Sequence, residues 1–175
     1  MNRNWTKWVA ILVAFAFVGW LGAGIFTGCD RSDNTPKVKV EKDYEPTFKK
    51  EGELWVLDGS TNDTVVALDV EYAESEEEIQ FGMMYRKHMD PTTGMLFFMP
   101  VQRMQSFWMR NTYVPLDIIY INDSLKVVSI QKNAQPLTET SRPSDGPALY
   151  VLEVKGGLSD QKGIKKGDHV HWRDL

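Results

Sequence analysis

The chain has 175 residues and a formal charge of -4, with 42% hydrophobic and 25% charged residues. That is one domain's worth of chain with enough apolar content for a core, which excludes a disordered or repeat protein. Phosphate neutralisation needs clustered Lys and Arg, so an acidic chain without a basic cluster is poorly suited to bind nucleic acid. The single cysteine excludes an intramolecular disulfide and leaves stability to packing.

Arg3 and Lys7 precede an uninterrupted uncharged run, Trp8 to Phe26, of bilayer-spanning length. This is an export signal. It ends in Ile25-Phe26-Thr27-Gly28-Cys29, which resembles the lipobox of bacterial lipoproteins. The resemblance implies cleavage before Cys29, acylation of that residue, and a domain held outside the cytoplasm on the membrane of the cell envelope. Acyl chains contribute about 0.8 kcal/mol per buried methylene, and two suffice for stable anchoring. Left uncut, the same run would be an N-terminal membrane helix. The expected organisation is a signal peptide over 1–28, a lipidated tether over 29–50 and a single β-rich domain over 51–175. The charged, Pro-containing tether has little apolar periodicity, and about 20 flexible residues give a reach of roughly 25 Å.

Residues 53–57 read as a short strand and 64–72 as an alternating one, with Val66, Leu68, Val70 and Tyr72 on one face and Asp69 and Glu71 on the other. Ser75 with Glu78 forms a capping-box pattern, which predicts one short helix over about 75–87 with Ile79, Gly82, Met83 and Arg86 along one side. Gly82 there suits a close approach of the helix to a sheet. Residues 95–99 form an apolar strand ended by Pro100, and 106–109 a second strand. The polar elbow 110–115 follows, and then a hairpin of 116–121 and 125–131 around Asn122-Asp123-Ser124. The segment 133–147, with three prolines, reads as a rim or lid loop. Residues 148–154 form a strand, 158–162 one helical turn and 168–172 a last strand. Short strands at close intervals predict a mainly β, compact antiparallel sandwich or barrel.

The segments Phe81-Gly82-Met83-Met84-Tyr85-Arg86, Gly94-Met95-Leu96-Phe97, Phe107-Trp108-Met109-Arg110-Asn111-Thr112, Pro115-Leu116-Asp117-Ile118-Ile119-Tyr120, Tyr150-Val151-Leu152-Glu153 and Lys166-Gly167-Asp168 together resemble the domain-of-unknown-function 192 family over residues 64–172. The resemblance implies a jelly-roll-like fold and an envelope setting, and brings no catalytic role.

Asp117 shares strand parity with Ile119 and Ile121 and so points at an apolar face, where a carboxylate needs a cation or several N–H donors. Arg86 and Arg110 are the expected cations, and the bland alternative is a structural acceptor pinning the elbow. Glu153, between Leu152 and Val154, raises the same question. The leading expectation is a non-enzymatic binding or accessory module that takes a small polar ligand or an envelope protein. Its candidate residues are Arg86, Trp108, Arg110, Asn111, Asp117 and Glu153, with the 133–147 loop beside them. The competing expectation is an envelope hydrolase using Asp117 and Glu153 as paired acids. Every methionine but the first falls between Met83 and Met109; thioethers can hold Cu(I), but beside Phe and Leu they read as core filler. His169 and His171 share a strand face without a third ligand nearby, and Gly156-Gly157 lacks a phosphate-loop pattern, so no metal or cofactor is expected.

Overall fold

The computed structural model describes residues 44–175, so the export segment, Cys29 and most of the tether lie outside the described residues. Among those described, no helix is long and apolar enough to cross a membrane. The elements run β1 (Gly52–Leu57), β2 (Thr64–Ala73), α1 (Glu76–Phe81), β3 (Thr93–Arg103), β4 (Ser106–Phe107), β5 (Leu116–Ile121), β6 (Val127–Ala134), β7 (Arg142–Pro143), β8 (Ala148–Lys155), α2 (Leu158–Lys162) and β9 (His169–Asp174). Seven strands form one sheet in the order β6-β5-β8-β3-β2-β1-β9, and β4 pairs with β7 apart from it. The edges meet at one end only, where the Val127 N–H donates to the Asp168 carbonyl at 2.8 Å and the Val170 N–H to the Leu125 carbonyl at 2.8 Å. The sheet therefore curls like a barrel without closing.

The mainly β architecture agrees with the sequence, with four corrections. First, β2 and β3 are parallel, because α1 and the turns after it return the chain to the same end of the sheet; the other sheet pairs are antiparallel. Second, α1 stops at Phe81, short of the expected end near 87, whereas α2 is the helical turn expected over 158–162. Third, β3 continues through Pro100. The proline, lacking an N–H, lies in the register shift between Phe98 and Arg103, where the ladder with β8 is interrupted. Fourth, β4 is only two residues long.

Both faces of the sheet are covered, which explains why β5 is buried at all six positions instead of alternating. On the face shared with α2, Leu54, Val56, Leu68, Val70, Leu96, Ile119, Ile121, Leu152 and Val154 pack with Leu158 and Ile164. On the face nearer α1, Met83, Met95, Phe97, Met109, Leu116, Ile118, Tyr120 and Val151 form a second cluster. The methionines at 83, 95 and 109 are core filler, as expected.

Asp117 sits fully buried on the α2 face. Its carboxylate accepts from the backbone N–H of Asn133 at 2.7 Å, Gly157 at 3.0 Å and Ser159 at 2.8 Å. Neither Arg86 nor Arg110 reaches it. One acid thus joins the end of β6, the turn after β8 and the start of α2, and it pins those elements rather than the elbow. Gly156 makes the approach possible: a Cβ there would meet the Pro115 carbonyl carbon at 2.9 Å. Replacing Asp117 by Ala leaves three buried donors empty. Charge-assisted hydrogen bonds contribute roughly 1.5–3 kcal/mol each, non-additively, so Asp117→Ala is expected to lower the urea-unfolding free energy by about 4 kcal/mol, with Asp117→Asn losing less.

Candidate functional site

The α1 face carries a cleft, and its outer wall follows from local chain chemistry. Ser75 accepts from the Glu78 N–H and the Glu78 carboxylate accepts from the Ser75 N–H, completing the capping box; Glu76, Glu77 and Glu78 lie at the positive end of the helix dipole. The helix then breaks at Gly82, whose φ of 43° is left-handed, and Tyr85 is left-handed as well at 66°. The expected single stripe of Ile79, Gly82, Met83 and Arg86 on one long helix therefore does not form. A Cβ on Gly82 would sit 3.0 Å from the Phe97 ring, so the glycine does permit the close approach to β3. Asn111, itself at φ 54°, staples this turn to the elbow: its carbonyl accepts from the Tyr85 N–H at 2.7 Å, and its Nδ2 donates to the Tyr85 hydroxyl at 3.1 Å.

Between this wall and the sheet lies a cleft of about 450 Å³, lined by Ile79, Met83, Phe97, Met99 and Phe107, with Trp108 and Arg110 at the mouth and Glu153 at its inner end. That volume falls in the range of about 300–1,000 Å³ typical of small-molecule sites. Phe97 and Phe107 meet edge to face at 5.1 Å, and Phe107 leans on Tyr120 at 6.1 Å, so the apolar walls are fixed by aromatic packing. Tyr120 donates its hydroxyl to the Arg142 carbonyl, tying β5 to the short β4/β7 ribbon that carries Phe107. The 133–147 segment contributes Glu139 and Ser141 to the mouth, as its reading as a rim anticipated.

Glu153 is only 4% exposed, and no donor among the described residues hydrogen-bonds to its carboxyl group. Burial alone pushes its pKa up to about 8. Nearby, burial first and then the charge of Glu153 raise Tyr120 far above the ordinary phenol range. At the mouth the Arg110 guanidinium lies 5.7 Å from the Trp108 ring centroid, and its Nε is 3.7 Å from Glu139, so its charge is already met.

Trp108, Arg110 and Glu153 therefore converge on one cleft, whereas Arg86, Asn111 and Asp117 do not line it. Arg86 pairs with Glu71 at 2.7 Å in a separate depression, and both are buried. Glu71 lies on the face opposite Val66, Leu68 and Val70, as its alternation predicts, and is buried there with Arg86. Asp117 and Glu153 cannot act as a pair. In the β5/β8 register Asp117 faces Val154 and Ile118 faces Glu153, which puts the two acids on opposite faces of the sheet and removes the paired-acid hydrolase. The cleft walls of Phe97, Met99 and Phe107 had registered in the sequence only as core. Among the described residues no group of three or more His, Cys, Asp or Glu side chains could hold a metal ion.

Comparison with known proteins adds a fold relation without an activity. The family model DUF192, described as "Uncharacterized ACR", matches residues 58–172. A protein of unknown function from Novosphingobium aromaticivorans DSM 12444 is 39% identical, with a TM-score of 0.64 over 69% of this chain and 84% of that one. A provisionally named transcription regulator from Sinorhizobium meliloti 1021 is 33% identical, with a TM-score of 0.67 over 74% of this chain and 98% of that one. No curated protein matches the chain.

The elevated pKa of Glu153 has a stability signature. Below the unfolded value of 4.5 the carboxyl is protonated in both states and no cost arises. As pH rises from 4.5 to about 8, the unfolded chain sheds the proton while the folded one keeps it, so stability falls across that window and then levels off. The full difference is of the order of 5 kcal/mol, taking about 1.4 kcal/mol per pH unit. Glu153→Gln, neutral throughout, should lack this slope. Urea unfolding of both proteins from pH 4.5 to 8.5 checks it, with parallel stability curves as the contrary result.

Proposed function

The chain belongs to the DUF192 family, and from that premise we propose that it is a lipid-anchored, extracytoplasmic binding module whose ligand enters the cleft beside α1. The observation that carries the binding reading is the unpartnered Glu153 at the end of an apolar cleft. A buried acid without a donor costs stability, and such costs persist where a site needs the group exposed to a ligand. Apolar walls with a buried acid at the inner end and polar groups at the mouth are the composition of small-molecule sites, so the ligand has a largely apolar body in addition to the polar group expected from the sequence. The transcription-regulator name of the Sinorhizobium relative stays with that protein, since a net charge of -4 offers little to a phosphate backbone.

The anchoring half of the proposal rests on the Thr27-Gly28-Cys29 junction after an apolar run. With Cys29→Ala the chain should accumulate as an uncleaved precursor; release of normally processed protein into the soluble fraction would contradict lipidation. For the cleft, a panel of small apolar compounds bearing one polar group is expected to raise the melting temperature of the full chain in detergent. Saturation at about 100 times Kd corresponds to roughly 2.7 kcal/mol of stabilisation. Ser141→Trp, an exposed change at the mouth, should abolish that shift while leaving the ligand-free melting temperature nearly unchanged.

A further inference from the structure

We propose that the cleft binds primary amines with an apolar stem, seating the ammonium on the Glu153 carboxylate and the stem against Phe97, Phe107 and Met99. This deepens the binding reading above and rests on it. Glu153 is 96% buried from solvent by the measure of its 4% exposure, faces the cleft, and has no donor among the described residues. Of the partners that could complete it, a neutral carbonyl would take the one proton of the acid and leave its second oxygen without a donor. An ammonium offers three N–H donors and a charge, so it can meet both oxygens at once.

The surroundings favour the cation further. Phe97 and Phe107 both line the cleft, and an aromatic ring attracts a cation to its face through its quadrupole. The mouth already holds one such pairing, Arg110 on Trp108. Arg110 does not compete for Glu153, because it is turned to Trp108 and Glu139. The other titratable groups around the acid are Tyr120 on β5, which stays protonated far above neutral pH, Arg142 on β7, whose charge reaches Tyr120 and which does not line the cleft, and Arg110 and Glu139 at the mouth, which pair with each other. No positive group among those lining the inner end would repel an ammonium.

The binding step carries a proton balance. The protonated acid and the ammonium combine to give carboxylate and ammonium in contact, and the carboxyl proton leaves to the buffer. At pH 7 this releases about one proton per amine bound.

Isothermal titration of the full chain in detergent with 4-phenylbutylammonium, 4-phenylbutan-1-ol and 4-phenylbutanoate, in two buffers of different ionisation enthalpy, tests the assignment. The amine is expected to bind at least about tenfold more tightly than the alcohol and with release of about one proton, and Glu153→Gln to weaken it by about 100-fold, as loss of a buried charge partner does. Equal affinity for alcohol and amine, or amine binding that Glu153→Gln leaves unchanged, overturns the amine assignment but leaves the binding module standing. Failure of all three compounds, together with an unresponsive panel of apolar ligands, overturns both. The wild-type amine-to-alcohol ratio decides the matter even if Glu153→Gln does not fold.

Discussion

The carboxylate of Asp117 and the three backbone amides that close on it set the geometry of the rest. A single buried acid holds the end of β6, the turn after β8 and the first residues of α2, and it does so from a strand buried on both sides. Because side chains alternate along paired strands, fixing Asp117 on the α2 face opposite Val154 sends Glu153 to the other face. A slip of one residue between β5 and β8 would exchange the two surfaces, placing Glu153 among aliphatic side chains and stripping the cleft of its buried acid. The scaffold acid therefore determines where the site acid points.

The two acids show how environment divides labour between chemically similar residues. Asp117 gives its two carboxylate oxygens to three backbone donors and is turned away from the cleft. Glu153 has burial and no donor, so the protein carries an unmet demand there. The Glu71–Arg86 pair is a third solution, one charge answering another inside the fold. Among the buried acids at 71, 117, 153 and 168, Asp168 follows the Asp117 pattern, accepting from the Gly59 and Lys165 N–H groups.

Much of the sheet was legible because period-two alternation and turn residues are local signals. Val66, Leu68 and Val70 share a face as read, the β5/β6 hairpin turns at Asn122 to Ser124, and the Ser75 capping box starts a helix where its spacing says. The misreadings have physical causes. The helix end depended on left-handed backbone at Gly82 and at Tyr85, and a tyrosine carries no signal for that conformation. Asp117 was read correctly as inward-facing, but its partners are peptide N–H groups, which every residue but proline possesses and which leave no mark in sequence. The cleft was least legible. Ile79, Phe97, Phe107 and Glu153 are far apart in the chain, and a wall of a cavity has the same composition as a core. Only the three-dimensional juxtaposition separates an apolar residue facing other side chains from one facing empty space.

The short helix that forms one wall has no buried residue of its own. Its hold on the body comes from what flanks it: the Ser75 cap, the turn at Gly82 against Phe97, and the Asn111 staple. An element held along its length by one partly buried side chain, Ile79, and otherwise by its ends has few buried apolar contacts, the property of segments that open at less cost than the whole fold. The outer wall of the cleft thus rests on one partly buried side chain and two turn contacts, while the opposite wall is sheet.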